Sequence, residues 1–242
     1  MRFNAVPLVY AIALMLPAGL SAQESKPRNE GSVSLGYVGT TGNTESQTFE
    51  GQVRYIMRRE AWVHNFEASS LYAKQEEEVN GERYFLQGKS DYEITDRDYA
   101  FAKLSYTDDR FTGYDFQATA SFGYGHHFYD RDDLSLETYF GAGYRYNRLP
   151  DIGFGGDGEE EAIFTLGENF EWEMSESTKL TQSLTSEVGE ELTVSRFDIG
   201  LVSQLMGDLS TKIGFQVRHI SEVPPDRENT DTQTSVSLVY SF

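Results

Sequence analysis

The sequence predicts an all-β fold, a transmembrane antiparallel up-and-down β-barrel of about 12 strands that follows a cleaved signal peptide. Three observations predict it. Apolar and polar residues alternate with a period of two along nearly all of the chain after residue 30. An export signal opens the chain, yet no later segment is apolar enough for a membrane helix. The last strand, TQTSVSLVYSF (232–242), carries an apolar residue at every second position and ends on Phe242.

Residues 1–22 read as the signal peptide. Arg2 is the positive start, 5–16 (AVPLVYAIALML) the apolar core and 17–22 (PAGLSA) the small-residue cleavage region. The apolar run is too short to cross a bilayer, and no charged stop-transfer segment follows it. Residues 23–30 form a short polar lead, and 31–242 the barrel. The predicted strands are 31–40, 44–58, 61–75, 83–94, 99–109, 116–128, 134–145, 162–172, 179–188, 191–205, 210–222 and 231–242, with 10 or 14 strands as alternatives. In 44–58, Phe49, Gly51, Val53, Tyr55 and Met57 take one face, and Glu50, Gln52 and Arg54 the other. The polar faces mix Gly, Ser, Thr and Gln with both signs of charge, which suits an aqueous interior better than a soluble surface. Because only half of each strand is apolar, the mean hydropathy of −0.50 is compatible with a membrane protein.

The connections differ in kind. Tight turns are predicted at 59–60, 95–98, 129–133, 173–178 and 206–209, and long ones at 76–82, 110–115, 146–161 and 223–230. Short and long ends correspond to periplasmic turns and outer loops in bacterial barrels, and an even strand number returns both termini to the turn side. These features predict the bacterial outer membrane as the location. Val236, Leu238, Tyr240 and Phe242 then read as a barrel-assembly signal for the insertion machinery.

The stretch 35–49, LGYVGTTGNTESQTF, resembles the opening of the salt-induced outer-membrane protein family, a barrel family of unknown function. Leu35, Gly36, Tyr37, Gly42, Asn43 and Thr44 carry the likeness, with Trp62 after the first turn and the final Phe242. It spans roughly the mature chain, 31–242. The resemblance implies a fold, a location and a salt or osmotic response, and it implies no catalytic residues.

Strand parity yields the candidate lumen charges: Glu50, Arg54, Glu67, Lys89, Asp91, Lys103, Glu137, Arg145, Arg196, Asp198 and Arg218, with Glu93, Glu171, Glu187 and Lys212 on the same faces. The two signs nearly cancel, as in a small barrel that fills itself with paired charges. A selective pore shows one sign in excess. The expected function is therefore structural or stress-responsive, with a narrow, charge-filled lumen. A small-solute channel is the alternative, and an outer-leaflet lipid hydrolase a distant one.

The net charge of −19 excludes nucleic acid as a partner and leaves lipids, lipopolysaccharide and the barrel-assembly machinery. The acidic surplus is expected in loops: Glu76, Glu77, Glu78 and Glu82; Asp151, Asp157, Glu159, Glu160 and Glu161; and Asp226, Glu228 and Asp231. Weak divalent-cation binding there is the functional reading, and a solvated acidic rim the favoured one. No metal site, cofactor or enzyme activity is expected. The chain has no cysteine, no Gly-x-Ser-x-Gly and no His-Glu-x-x-His. Only Ser195 opposite His219 suggests a nucleophile and base, with Thr234 rather than a carboxylate as the expected third neighbour.

Overall fold

The computed structural model describes residues 29–40, 46–75, 78–109, 114–148, 158–223 and 228–242. The signal peptide (1–22), residues 23–28 of the polar lead and the Gly42-Asn43-Thr44 turn lie outside them. The described chain is twelve antiparallel strands closed into one barrel. They are β1 (Asn29–Thr40), β2 (Ser46–Arg59), β3 (Trp62–Gln75), β4 (Glu78–Glu93), β5 (Asp98–Asp109), β6 (Phe116–Asp130), β7 (Leu134–Arg148), β8 (Gly158–Ser175), β9 (Thr178–Gly189), β10 (Thr193–Met206), β11 (Leu209–Ile220) and β12 (Thr230–Ser241). Each strand pairs with its neighbours in sequence, and β1 closes on β12. Closure leaves no free sheet edge, which a bilayer requires.

Strand ends extend past several predicted ones: β6 runs to Asp130 rather than 128, β8 to Ser175 rather than 172, and three further extensions fall in charged segments. Asn29 and Glu30, expected in the lead, pair with Met57 and Ile56, and Glu30 forms an ion pair with Arg58. The loop expected at 76–82 is mostly strand, since β4 begins at Glu78 beyond a bulge at Ala73/Lys74. The loop expected at 146–161 is shorter: β7 runs to Arg148 and β8 starts at Gly158. In each case the ladder continues into residues whose charge resembles loop composition, because hydrogen bonding and parity persist where hydropathy does not. Three turns are only two residues long, at 60–61, 176–177 and 207–208. In the first and last of them, Glu60 (φ 51) and Gly207 (φ 53) take the positive φ common in two-residue hairpins.

The outer face is apolar and exposed. Val53, Phe66, Leu86, Leu104, Phe122, Phe140, Leu166 and Ile213 form its middle. Trp62, Tyr92, Tyr129, Tyr240 and Phe242 ring the turn end, and Tyr37, Phe49, Tyr72, Tyr84 and Tyr106 the loop end. Aromatic girdles at two interfaces are what a membrane-spanning barrel presents to lipid. Val236, Leu238 and Tyr240 of β12, and Phe242 just beyond it, all lie on this exposed face.

The closing seam is short. β1 and β12 pair over five positions, Ser32–Ser241 to Gly36–Ser237, whereas β1 and β2 pair over twelve. At the turn end of the seam, Gly31 and Phe242 exchange both backbone hydrogen bonds, at 2.8 and 2.9 Å.

Candidate functional site in the barrel lumen

The register turns Glu50, Arg54, Glu67, Lys89, Asp91, Lys103, Glu137, Arg145, Arg196, Asp198 and Arg218 toward the lumen, where they form three clusters and one more open wall.

The first cluster lies toward the turn end. Lys89 donates to Asp91 at 3.0 Å and to the Tyr99 hydroxyl at 3.3 Å. Its ammonium sits 4.5, 5.6 and 4.9 Å from the ring centroids of Tyr99, Phe101 and Tyr139. Three ring faces around a desolvated cation replace part of its hydration. Glu137 accepts from Tyr99 (3.1 Å) and Asn169 (2.6 Å). Glycines make room for these rings. A Cβ on Gly125 would meet Tyr99 at 2.1 Å, and one on Gly167 would meet Tyr139 at 2.0 Å.

The second cluster joins β5, β7, β8 and β9. Arg145, 1% exposed, donates to Glu161 at 2.8 Å and reaches Glu187 at 3.4 Å, with further bonds to the Leu192 and Glu187 carbonyls. Lys103 donates to the other Glu187 oxygen at 3.1 Å, four strands away. Glu161 therefore belongs to the lumen, a correction to its expected place in an acidic loop. Parity continued one residue beyond the predicted strand would have found it.

The third cluster crosses the barrel. Arg218 on β11 donates to Asp109 on β5 at 2.8 Å, and Arg196 on β10 lies 5.1 Å from the Phe85 ring centroid on β4. Both pairs join strands six apart in a ring of twelve, the largest separation a closed barrel has. Arg83 on β4 donates to Gln216 on β11 (3.1 Å), which donates to Asp198 (2.6 Å). A round twelve-stranded barrel would have a backbone diameter of roughly 24 Å, from strands about 4.8 Å apart and tilted about 40°. One arginine and one aspartate cannot bridge that, so the barrel section is flattened here. Above this cluster, Leu192, Val194 and Ile220 pack with Tyr114 and Val223 into an apolar cap at the loop end. Asp109, Arg83 and Gln216 were not among the candidate residues. Their parity was legible, but which opposite wall they meet was not.

The remaining wall, on β11, β12 and β1–β3, is more open. Ser32, Ser34, Gly36, Gly214, Ser235 and Ser237 line it with small side chains. Arg54 pairs with Glu67 at 3.1 Å while its side chain is 46% exposed, and Gln233 donates to Glu50 at 3.0 Å.

The remaining expected features fall as follows. Ser195 does lie opposite His219 on the outer face, but Ser195 hydrogen-bonds Ser186 (2.9 Å) and His219 hydrogen-bonds Thr230 (2.9 Å). The expected neighbour Thr234 instead pairs with Phe215, because the β11–β12 register is offset by four residues from the assumed one. Glu78, Glu82, Glu159, Glu160, Glu161 and Asp231 are on strands rather than in loops. Glu76, Glu77, Asp151, Asp157 and Asp226 lie outside the described residues.

A family of proteins of unknown function, DUF481, matches residues 33–242. The chain belongs to that family. A relative, the uncharacterized protein YdiY of Escherichia coli (strain K12), is 29% identical over 214 residues, covering 88% of this chain and 83% of the relative. Among solved structures, an outer membrane channel (COG4313) from Pseudomonas putida F1 is similar with a TM-score of 0.54 at 9% identity, covering 93% of this chain and all of the other. The translocator domain of the autotransporter NalP from Neisseria meningitidis is similar with a TM-score of 0.51 at 11% identity, covering 90% of this chain and 89% of the other. At such identities the likeness speaks to fold, and the fold is that of outer-membrane β-barrels.

Proposed function

We propose that this DUF481 protein resides in the outer membrane of a Gram-negative-type envelope as a barrel with an occluded, charge-filled lumen, and that its role is structural or stress-responsive. The observation that carries this reading is direct contact between opposite walls, Arg218 with Asp109 and Arg196 with Phe85, beneath the apolar cap. Such contacts narrow that part of the lumen, which supports occlusion. The salt or osmotic part of the role rests on the resemblance of 35–49 to the salt-induced family. On this reading the partners are outer-membrane lipids, lipopolysaccharide and the assembly machinery, which takes Val236, Leu238, Tyr240 and Phe242 as its signal. No catalytic role is assigned to Ser195 or His219.

Planar-bilayer conductance of the refolded mature protein tests the reading, with the heat-dependent gel shift as the folding control. A folded, silent barrel is the expected result. Discrete conductance steps would overturn occlusion and favour a second reading, a small-solute channel. One observation supports that second reading: the wall around Arg54 is open and lined by serine and glycine.

A further inference from the structure

The third cluster contains more cation than its carboxylates neutralise at contact distance. Arg196 and Arg218 are direct register partners on adjacent strands, both facing the lumen. Like charges directly opposite one another are destabilising. Arg218 is 2% exposed. Its Nη1 donates to Asp109, but its Nε and Nη2 are buried with no hydrogen-bond partner. Buried charged donors left unmade are costly. Among the described residues, neither Arg196 nor Arg83 has a carboxylate within 4.0 Å, and Asp231, beside Arg218 in register, forms no ion pair with it. Asp198 accepts from the Gln216 amide at 2.6 Å.

The Nε–Nη2 edge of a guanidinium is a planar two-donor fork that matches two oxygens of one oxyanion. Arg196 supplies the second charge from the neighbouring strand, and the Leu192–Val194–Ile220 cap packs two register positions above. We propose that Arg218 and Arg196 form a binding site for a small divalent oxyanion of the sulfate or phosphate type, inside the lumen beneath the apolar cap. The site would also account for two arginines facing one another in a chain of net charge −19.

The test is equilibrium binding of inorganic sulfate, and separately of inorganic phosphate, to the refolded full barrel in detergent micelles. Titration calorimetry and the shift in unfolding temperature are read against sodium chloride at matched ionic strength. Saturable binding is expected for the unaltered protein. Arg196→Gln and Arg218→Lys are each expected to weaken it about tenfold or more. Arg218→Lys keeps the charge and a donor for Asp109 but loses the fork, so it remains informative if Arg218→Gln fails to fold. A response no greater than that of chloride overturns the proposal. So does unchanged affinity in the folded Arg196→Gln and Arg218→Lys proteins. Binding is read whether or not the lumen conducts. Its failure therefore leaves the occluded lumen standing, and a conducting barrel leaves the site standing.

Discussion

Arg145 and Arg54 face the same lumen and make the same kind of ion pair, yet they occupy different environments. Arg145 meets Glu161 at 2.8 Å with both side chains at most 5% exposed, and Arg54 meets Glu67 at 3.1 Å with 46% and 23% exposed. The β5–β9 side of the barrel is a packed interior that happens to be charged, and the β1–β3 side is a wetted surface folded inward. The difference teaches that a lumen charge has no fixed worth. On the packed side the pair's loss strands a carboxylate away from water, whereas on the open side water replaces the lost partner.

This contrast can be broken most directly at Arg145. Arg145→Ala leaves Glu161 and Glu187 short of a cation and should destabilise the barrel by about 3–5 kcal/mol, measured by urea unfolding in lipid vesicles through Trp62 and Trp172 fluorescence. A loss under about 1 kcal/mol would mean that the two walls do not differ. The next largest effect is expected at Gly167→Ala, whose new methyl would collide with the Tyr139 ring. A cost of about 1–3 kcal/mol in the same assay is expected. Arg54→Ala should cost less than about 1 kcal/mol, and the gap between it and the parent should narrow further as salt is raised. The smallest change is expected at Gly36→Ala on the serine-lined wall, where a Cβ would find ordinary contacts at 3.4–3.5 Å. Stability should stay within about 0.5 kcal/mol. A large loss there would show that the open wall is as tightly packed as the other.

Much of the fold was legible because barrel strands advertise themselves locally. The face a side chain takes follows from a two-residue period, so Lys103, Arg145 and Arg218 can be assigned to one face from their neighbours alone. The partners of these residues follow from no local pattern. Lys103 meets Glu187 across 84 residues, and Arg218 meets Asp109 across 109. Those pairings depend on where the sheet closes and how far it flattens, and side-chain length decides the rest. Charge also misled at strand ends. Glu161 reads as loop because three glutamates in a row follow glycines, yet its ladder partner is Arg145. The glycines at 125 and 167 gave no warning of their purpose, since the rings that fill their space come from β5 and β7 and only the register reveals them.

The short seam between β1 and β12 has a consequence in time. Every other junction of the sheet joins strands that follow one another along the chain, and each can zip from its own connection. The seam alone joins residue 32 to residue 241, so its closure entropy is the largest and its five-position ladder returns the least for it. Circularisation is therefore expected to be the last and slowest event of folding, and the seam the first junction to reopen. The reciprocal hydrogen bonds of Gly31 and Phe242 fasten the turn end of that seam, so Phe242 is expected to act as the clasp on which closure of the ring depends.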